Sequence, residues 1–155
     1  MIKIIGFIGL LSILISCNSD VIYQKSYTFE GNEWKQEVKP HFEFEVKDTA
    51  VAYDFIISVR TTTDYKFSNM WVFLNTTTPK GEKGREPHQI FVTYPDGSWC
   101  GNKTGSVVEN RLIFKRRKMP YKGKYLFTLE QGITEKKLTD ILDVTFIVEK
   151  TKLQP

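Results

Sequence analysis

From His41 to Val46 the chain alternates without a break: Phe42, Phe44 and Val46 fall on one side, His41, Glu43 and Glu45 on the other. Successive side chains of a strand point to opposite faces, so this pattern describes a strand with one face buried and one in water. It excludes an amphipathic helix there, whose apolar positions would recur every three or four residues. Comparable runs occupy residues 23–29, 53–61, 70–75, 89–94, 111–115, 124–130 and 144–150. Two stretches are more continuously apolar, Asp54-Phe55-Ile56-Ile57-Ser58-Val59 and Met70-Trp71-Val72-Phe73-Leu74, and suit central strands covered on both sides. Turn signals fall between the runs, at Gly31-Asn32, Lys47-Asp48, Pro79 to Pro87, Pro95-Asp96-Gly97, Met119-Pro120 and Gly123. No segment keeps a helical period over three turns; one short helix is expected over residues 134–142, with Thr134 as its N-cap. The expected fold is all-β, an antiparallel β-sandwich of jelly-roll or immunoglobulin-like type.

A chain of 155 residues, 41% of them hydrophobic, has the size of one domain whose core stands without disulfides. No internal repeat or long linker divides it. Two cysteines build no disulfide scaffold. A net charge of +4 falls well short of a dedicated nucleic-acid binder, so no nucleic-acid partner is expected.

The N-terminus reads as an address. Met1-Ile2-Lys3 precedes an apolar run over residues 4–15, too short for a bilayer span of about 20 residues but suited to a signal-peptide core. The run ends Leu14-Ile15-Ser16-Cys17, which resembles the lipobox of bacterial lipoproteins. Leu stands three before the Cys and a small residue just before it, and Cys17 offers the thiol that becomes a thioether to diacylglycerol. Residues 1–16 are therefore expected to be a lipoprotein signal peptide, residues 17–22 the lipidated N-terminus and a short tether, and residues 23–155 a single β-sandwich. Only one acid, Asp20, follows Cys17 closely, where a surface-export signal would carry an acidic cluster. The expected location is the cell envelope, lipid-anchored at the outer membrane and facing the periplasm.

The search for chemistry yields no catalytic constellation, metal site or cofactor motif, and the expectation is a non-enzyme. His41 lies on the charged face of its strand, and His88 follows Pro87 in an expected loop. Cys100 lacks the neighbouring base that a nucleophile needs. Lys80-Gly81-Glu82-Lys83-Gly84-Arg85 lacks the Gly-Lys-Ser/Thr of a phosphate loop and reads as a mobile hairpin loop. The densest charge run, Lys115-Arg116-Arg117-Lys118, either faces anionic headgroups, docks an acidic partner, or is a solvated strand end. Among the tryptophans, Trp71 reads as core, whereas Trp34 and Trp99 are candidates for exposure, which raises glycan binding as an alternative function. Asp48-Thr49-Ala50 resembles a three-residue O-glycosylation acceptor of exported proteins in some gliding bacteria, with Thr49 as the acceptor.

Along nearly its whole length the chain resembles the gliding-motility lipoprotein GldH family. The resemblance rests on Cys17 closing the lipobox, then Tyr27-Thr28-Phe29, Trp34, Phe42-Glu43-Phe44, Tyr53-Asp54-Phe55, Arg60 and Tyr65. It continues through Asn69-Met70-Trp71-Val72-Phe73, Gly97-Ser98-Trp99-Cys100-Gly101, Gly105, Gly123-Lys124-Tyr125-Leu126-Phe127 and Glu130-Gln131. Leu138, Ile141, Asp143-Val144 and Glu149-Lys150 complete it. The resemblance implies an envelope lipoprotein of the gliding apparatus, which shares components with type IX secretion. It implies no enzyme activity and carries over one functional position, Cys17. A rigid sandwich tethered by acyl chains would dock other gliding or type IX secretion proteins, with Trp99, Lys115, Arg116, Arg117 and Lys118 as candidate docking residues.

Overall fold

Strand alternation resolves into two facing antiparallel sheets in a computed structural model that describes residues 20–151. The expected signal peptide and Cys17 lie outside the described residues. In chain order the strands are β1 (Val21–Thr28), β2 (Glu33–Lys35), β3 (His41–Val46), β4 (Ala52–Thr62), β5 (Asn69–Thr77) and β6 (Lys83–Phe91). They continue with β7 (Asn102–Thr104), β8 (Val107–Lys118), β9 (Gly123–Gln131), β10 (Lys137–Thr139) and β11 (Ile141–Lys150). One sheet runs β1-β11-β4-β8-β7, the second β3-β9-β5-β6, and β2 with β10 forms a small third ladder.

The sandwich fills with rings contributed by both sheets. Phe55 and Phe146 come from the five-stranded sheet, Phe42 and Phe127 from the four-stranded one. Phe127 and Phe146 sit 4.8 Å apart between centroids, and Phe42 stacks on Phe146 at 5.4 Å. β4 is a central strand between β11 and β8, and every residue of its run from Phe55 to Val59 is buried, as its composition implied.

The second apolar run behaves differently. In β5, Met70, Val72 and Leu74 turn inward, while Trp71 points away from the core and is 44% exposed. The expectation that Trp71 is core is overturned: a continuous apolar stretch on a sandwich strand still obeys the two-residue period, and the neighbouring sheet covers one face only. Trp34, a candidate for exposure, is instead fully buried. It stacks on Phe29 at 4.9 Å, donates its indole N–H to the Val38 carbonyl at 2.9 Å, and pairs across the small ladder with Leu138.

The short helix expected over residues 134–142 is absent. That segment holds a bend, then β10, then the start of β11. Leu138 and Ile141 are three apart like helix-face residues, but each is buried by strand pairing, and Asp140 between them has φ 65. The Gln131 side chain closes the preceding loop, accepting from Ile133 N–H at 3.1 Å and donating to the Glu135 carbonyl at 3.1 Å. The expected loop from Pro79 to Pro87 shrinks to a tight turn between β5 and β6. Pro87 and His88 lie in β6, an edge strand, where a missing N–H is tolerated. His88 is consequently half-buried rather than solvent-facing, with its ring edge-on to Phe114 at 4.8 Å.

Candidate functional site

Antiparallel pairing gathers distant segments at one end of the sandwich. β1 begins there, β11 ends there, β4 begins there and β8 ends there. Lys150 N–H donates to the Asp20 carbonyl at 3.1 Å, Thr151 N–H to the Ala52 carbonyl at 3.0 Å, and Ala52 pairs with Lys118. In the facing sheet, Val46 at the close of β3 pairs with Gly123 at the start of β9. The first described residue, Asp20, the 115–118 run and the β3–β4 turn with Thr49 therefore share this end.

A β-bulge shapes the basic run. β8 passes from Phe114 to Arg117 while β4 passes only from Phe55 to Tyr53, so β8 carries an extra residue opposite Asp54. Arg116 takes up the excess with φ 56, and its N–H donates to Asp54 Oδ1 at 2.8 Å. The same oxygen accepts the Thr151 hydroxyl at 2.5 Å. A regular strand end would turn alternate residues of the run inward; here Lys115, Arg116, Arg117 and Lys118 are all exposed. Burial raises the Asp54 carboxyl, but the bonds from Arg116 and Thr151 and the charges of Lys115 and Arg116 outweigh it, so the group lies below its ordinary value. An open polar cleft of about 500 Å³ runs beside it, lined by Asp20, Asp54, Lys115, Arg116, Glu149 and Lys150 among others.

Trp99 is not part of this cluster. It is half-buried against the core, bridged to Thr93, and the adjoining Gly101 lies against Glu109 near the start of β8. At about 3.3 Å per residue along β8, Trp99 and the basic run stand on the order of 20 Å apart, toward opposite ends. Cys100 is a free, half-buried thiol whose N–H donates to the Val92 carbonyl at 2.9 Å. His41 is exposed. Thr49 sits half-buried in its expected turn, where Asp48 Oδ1 accepts Ala50 N–H at 3.0 Å. Among the described residues no group of three His, Cys, Asp or Glu side chains is placed to hold a metal ion.

A second surface was missed from sequence. The outward face of β5 and β6 presents Trp71 and Phe91, the latter 59% exposed. Phe91 pairs with Asn69, which sets it diagonal to Trp71 on that face. Arg85 stacks over the Phe73 ring at 3.5 Å and reaches Glu130 at 3.4 Å, and Lys39 meets Glu130 at 3.2 Å, giving the apolar pair a charged rim. The signal was available: Asn69, Trp71, Phe73 and Asn75 alternate with the plainly apolar Met70, Val72 and Leu74.

On the outer face of the five-stranded sheet, Arg60 forms a bidentate pair with Asp143 directly across the ladder, and Ser58 donates to Glu109 at 2.6 Å. Arg60 is half-exposed and Asp143 is buried, so this pair fixes strand register more than it offers a reactive group.

Comparison with known proteins bears on the whole sandwich. The family described as GldH lipoprotein matches residues 21–148. The chain is 28% identical over 153 residues to a gliding motility lipoprotein GldH homolog of Christiangramia forsetii, covering 94% of this chain and 93% of that protein. It is 27% identical over 157 residues to the gliding motility lipoprotein GldH of Flavobacterium johnsoniae, covering 96% and 98%.

Proposed function

This chain belongs to the GldH lipoprotein family, and on that premise we propose that it is a non-enzymatic docking module of the gliding machinery, linked to type IX secretion. A lipoprotein role in gliding follows from its relatives. The observation that carries the docking reading is the extent of the match, which runs from the first residue of β1 almost to the end of β11. What the family shares is a whole sandwich rather than a local motif, as expected when a surface and its scaffold are the working parts.

In this reading Cys17, acylated after cleavage, holds the domain at the outer membrane on the periplasmic side. The Trp71 and Phe91 face, apolar at its centre and rimmed by Arg85 and Glu130, meets another protein of the apparatus. An anchor of this composition suits interfaces, where aromatic and Arg side chains dominate binding. Trp99 contributes less, being packed on the core.

The test is deletion and complementation. Wild-type chain should restore colony spreading and recover crosslinked envelope proteins identified by mass spectrometry. A Trp71→Ser, Phe91→Ser double variant should accumulate normally yet recover fewer crosslinks and spread poorly. Normal spreading of the deletion strain would refute the gliding role.

The glycan-binding alternative draws on the same exposed Trp71, since sugar rings stack on open aromatic faces. A polysaccharide-induced mobility shift lost in Trp71→Ser would favour it over protein docking.

A further inference from the structure

We propose that the end of the sandwich carrying the 115–118 run is a membrane-facing surface that engages anionic lipid headgroups, giving the protein a second attachment beside its acyl anchor. The inference rests on the anchor reading for its orientation, and on the fold for its charge.

Three observations converge. The first is covalent reach. Asp20 is hydrogen-bonded into this end through Lys150, and only three residue steps separate it from Cys17. Three residues span at most about 11 Å, so a lipid on Cys17 brings this end, and not the Trp99 end, to the bilayer surface. That distance is close to the Debye length of about 8 Å at physiological salt, so charges here feel the headgroups.

The second is the state of the cations. Lys115, Arg116, Arg117 and Lys118 are exposed, as are Lys122 in the β8–β9 turn and Lys47 in the β3–β4 turn. Among the described residues none of these six side chains is held in an ion pair. Nearby acids are hydrogen-bonded, Asp54 to Arg116 N–H, Asp48 to Ala50 N–H and Glu82 to the Tyr121 hydroxyl at 3.1 Å, and with Asp20 and Glu149 in the same cleft they offset part of the positive charge.

The third is the bulge. Arg116 at φ 56 breaks the alternation of β8 just where the run begins, so four consecutive cations face water instead of two. A strand end that merely needed solvation would not require this. Phosphate groups of a lipid surface are the anions that the anchor puts within reach. An acidic protein would need no such coincidence with the N-terminus.

The experiment uses the mature chain from residue 17 as Cys17→Ala, which has no acyl chain, against phosphatidylethanolamine vesicles with and without phosphatidylglycerol. Binding is expected only to the anionic vesicles and should fall steeply with added salt. Each basic residue near such a surface is worth about five-fold in affinity, so replacing Lys115, Arg116, Arg117 and Lys118 together by Gln should weaken binding by on the order of a hundred-fold or more. A control quadruple, Lys35, Lys66, Lys103 and Lys136 to Gln, removes the same charge from exposed positions elsewhere and should bind nearly as the parent. Equal losses in the two quadruples would reduce the effect to net charge and overturn the proposal. So would absence of binding to anionic vesicles, or crosslinking of the 115–118 run to an acidic protein in place of lipid. The anchor is read separately, by labelled-lipid incorporation into the wild-type chain in cells: its failure would remove the orientation and leave vesicle binding to stand or fall alone.

Discussion

Asp54 on β4 accepts the N–H of Arg116 on β8, 62 residues later in sequence, and so holds the bulge that splays the basic run. Two donors converge on one Asp54 oxygen, the Arg116 amide and the Thr151 hydroxyl. Hydrogen bonds to a charged acceptor contribute about 1.5–3 kcal/mol each, so Asp54→Ala should cost about 2 kcal/mol after allowance for the site's partial exposure. Because the folded-state carboxyl lies below its ordinary value, its contribution is fully present above the unfolded value of about 3.9 and is lost as pH falls through the folded one. Chemical denaturation of wild type and Asp54→Ala from pH 7 down to pH 2 should show the two stabilities converging at the acid end. A constant gap would mean that the carboxylate is not the operative partner.

Trp34 and Trp71 should separate by stability. Trp34 is fully buried, stacked and hydrogen-bonded, so Trp34→Ala should cost about 3–5 kcal/mol and bring the thermal midpoint down sharply. Trp71→Ala, at a face left 44% exposed, should change stability by less than about 1 kcal/mol. Trp71 fluorescence should also be quenched by acrylamide while Trp34 is protected, which single-Trp variants would read directly.

Gly101 occupies a place no larger residue fits. A Cβ there would lie 2.1 Å from the Glu109 backbone oxygen and 2.5 Å from Asn110 Oδ1. Backbone cannot yield as a flexible side chain does, so Gly101→Ala should destabilise by about 2–3 kcal/mol. Urea unfolding of this variant against Gly84→Ala, where the added methyl meets open space, checks the steric cause.

Most long strands of the two main sheets were legible because a sandwich writes its inside and outside into alternate residues, as His41–Val46 does; β6 was only partly so, its first half being polar and holding Pro87. β2, β7 and β10 were not, since three residues are too few to display a period. The burial of Trp34 follows from pairing with Leu138, a contact that no local window contains. The helix expected over residues 134–142 from Thr134 as its N-cap gives way to strand pairing that buries Leu138 and Ile141. The basic run was visible as composition, but its position beside the N-terminus was not: that depends on β8 running antiparallel to β4, and β11 antiparallel to both β4 and β1. The same topology separates Trp99 from the run, which sequence alone had grouped with it. Asn110 is buried with no hydrogen-bond partner for its amide among the described residues, and the fold does not explain it.

Thr49 sits in the β3–β4 turn, at the same end as the lipid-facing run, and the two expectations interact. The turn is well tied, with Asp48 bonding Ala50 N–H and its carbonyl accepting the Tyr53 hydroxyl at 3.1 Å, so a sugar on Thr49 would project from a fixed point. A glycan there would hold the neighbouring cations away from headgroups by its own thickness, weakening an attraction that decays over about one Debye length. Intact-mass measurement of protein purified from its native envelope should show an increment beyond the acyl chains that disappears in Thr49→Ala. The unglycosylated variant should then bind anionic vesicles more tightly than the native form, with the difference shrinking at high salt. A mass that falls in Thr49→Ala by no more than the substitution itself would exclude the acceptor role and leave this turn free to approach the membrane.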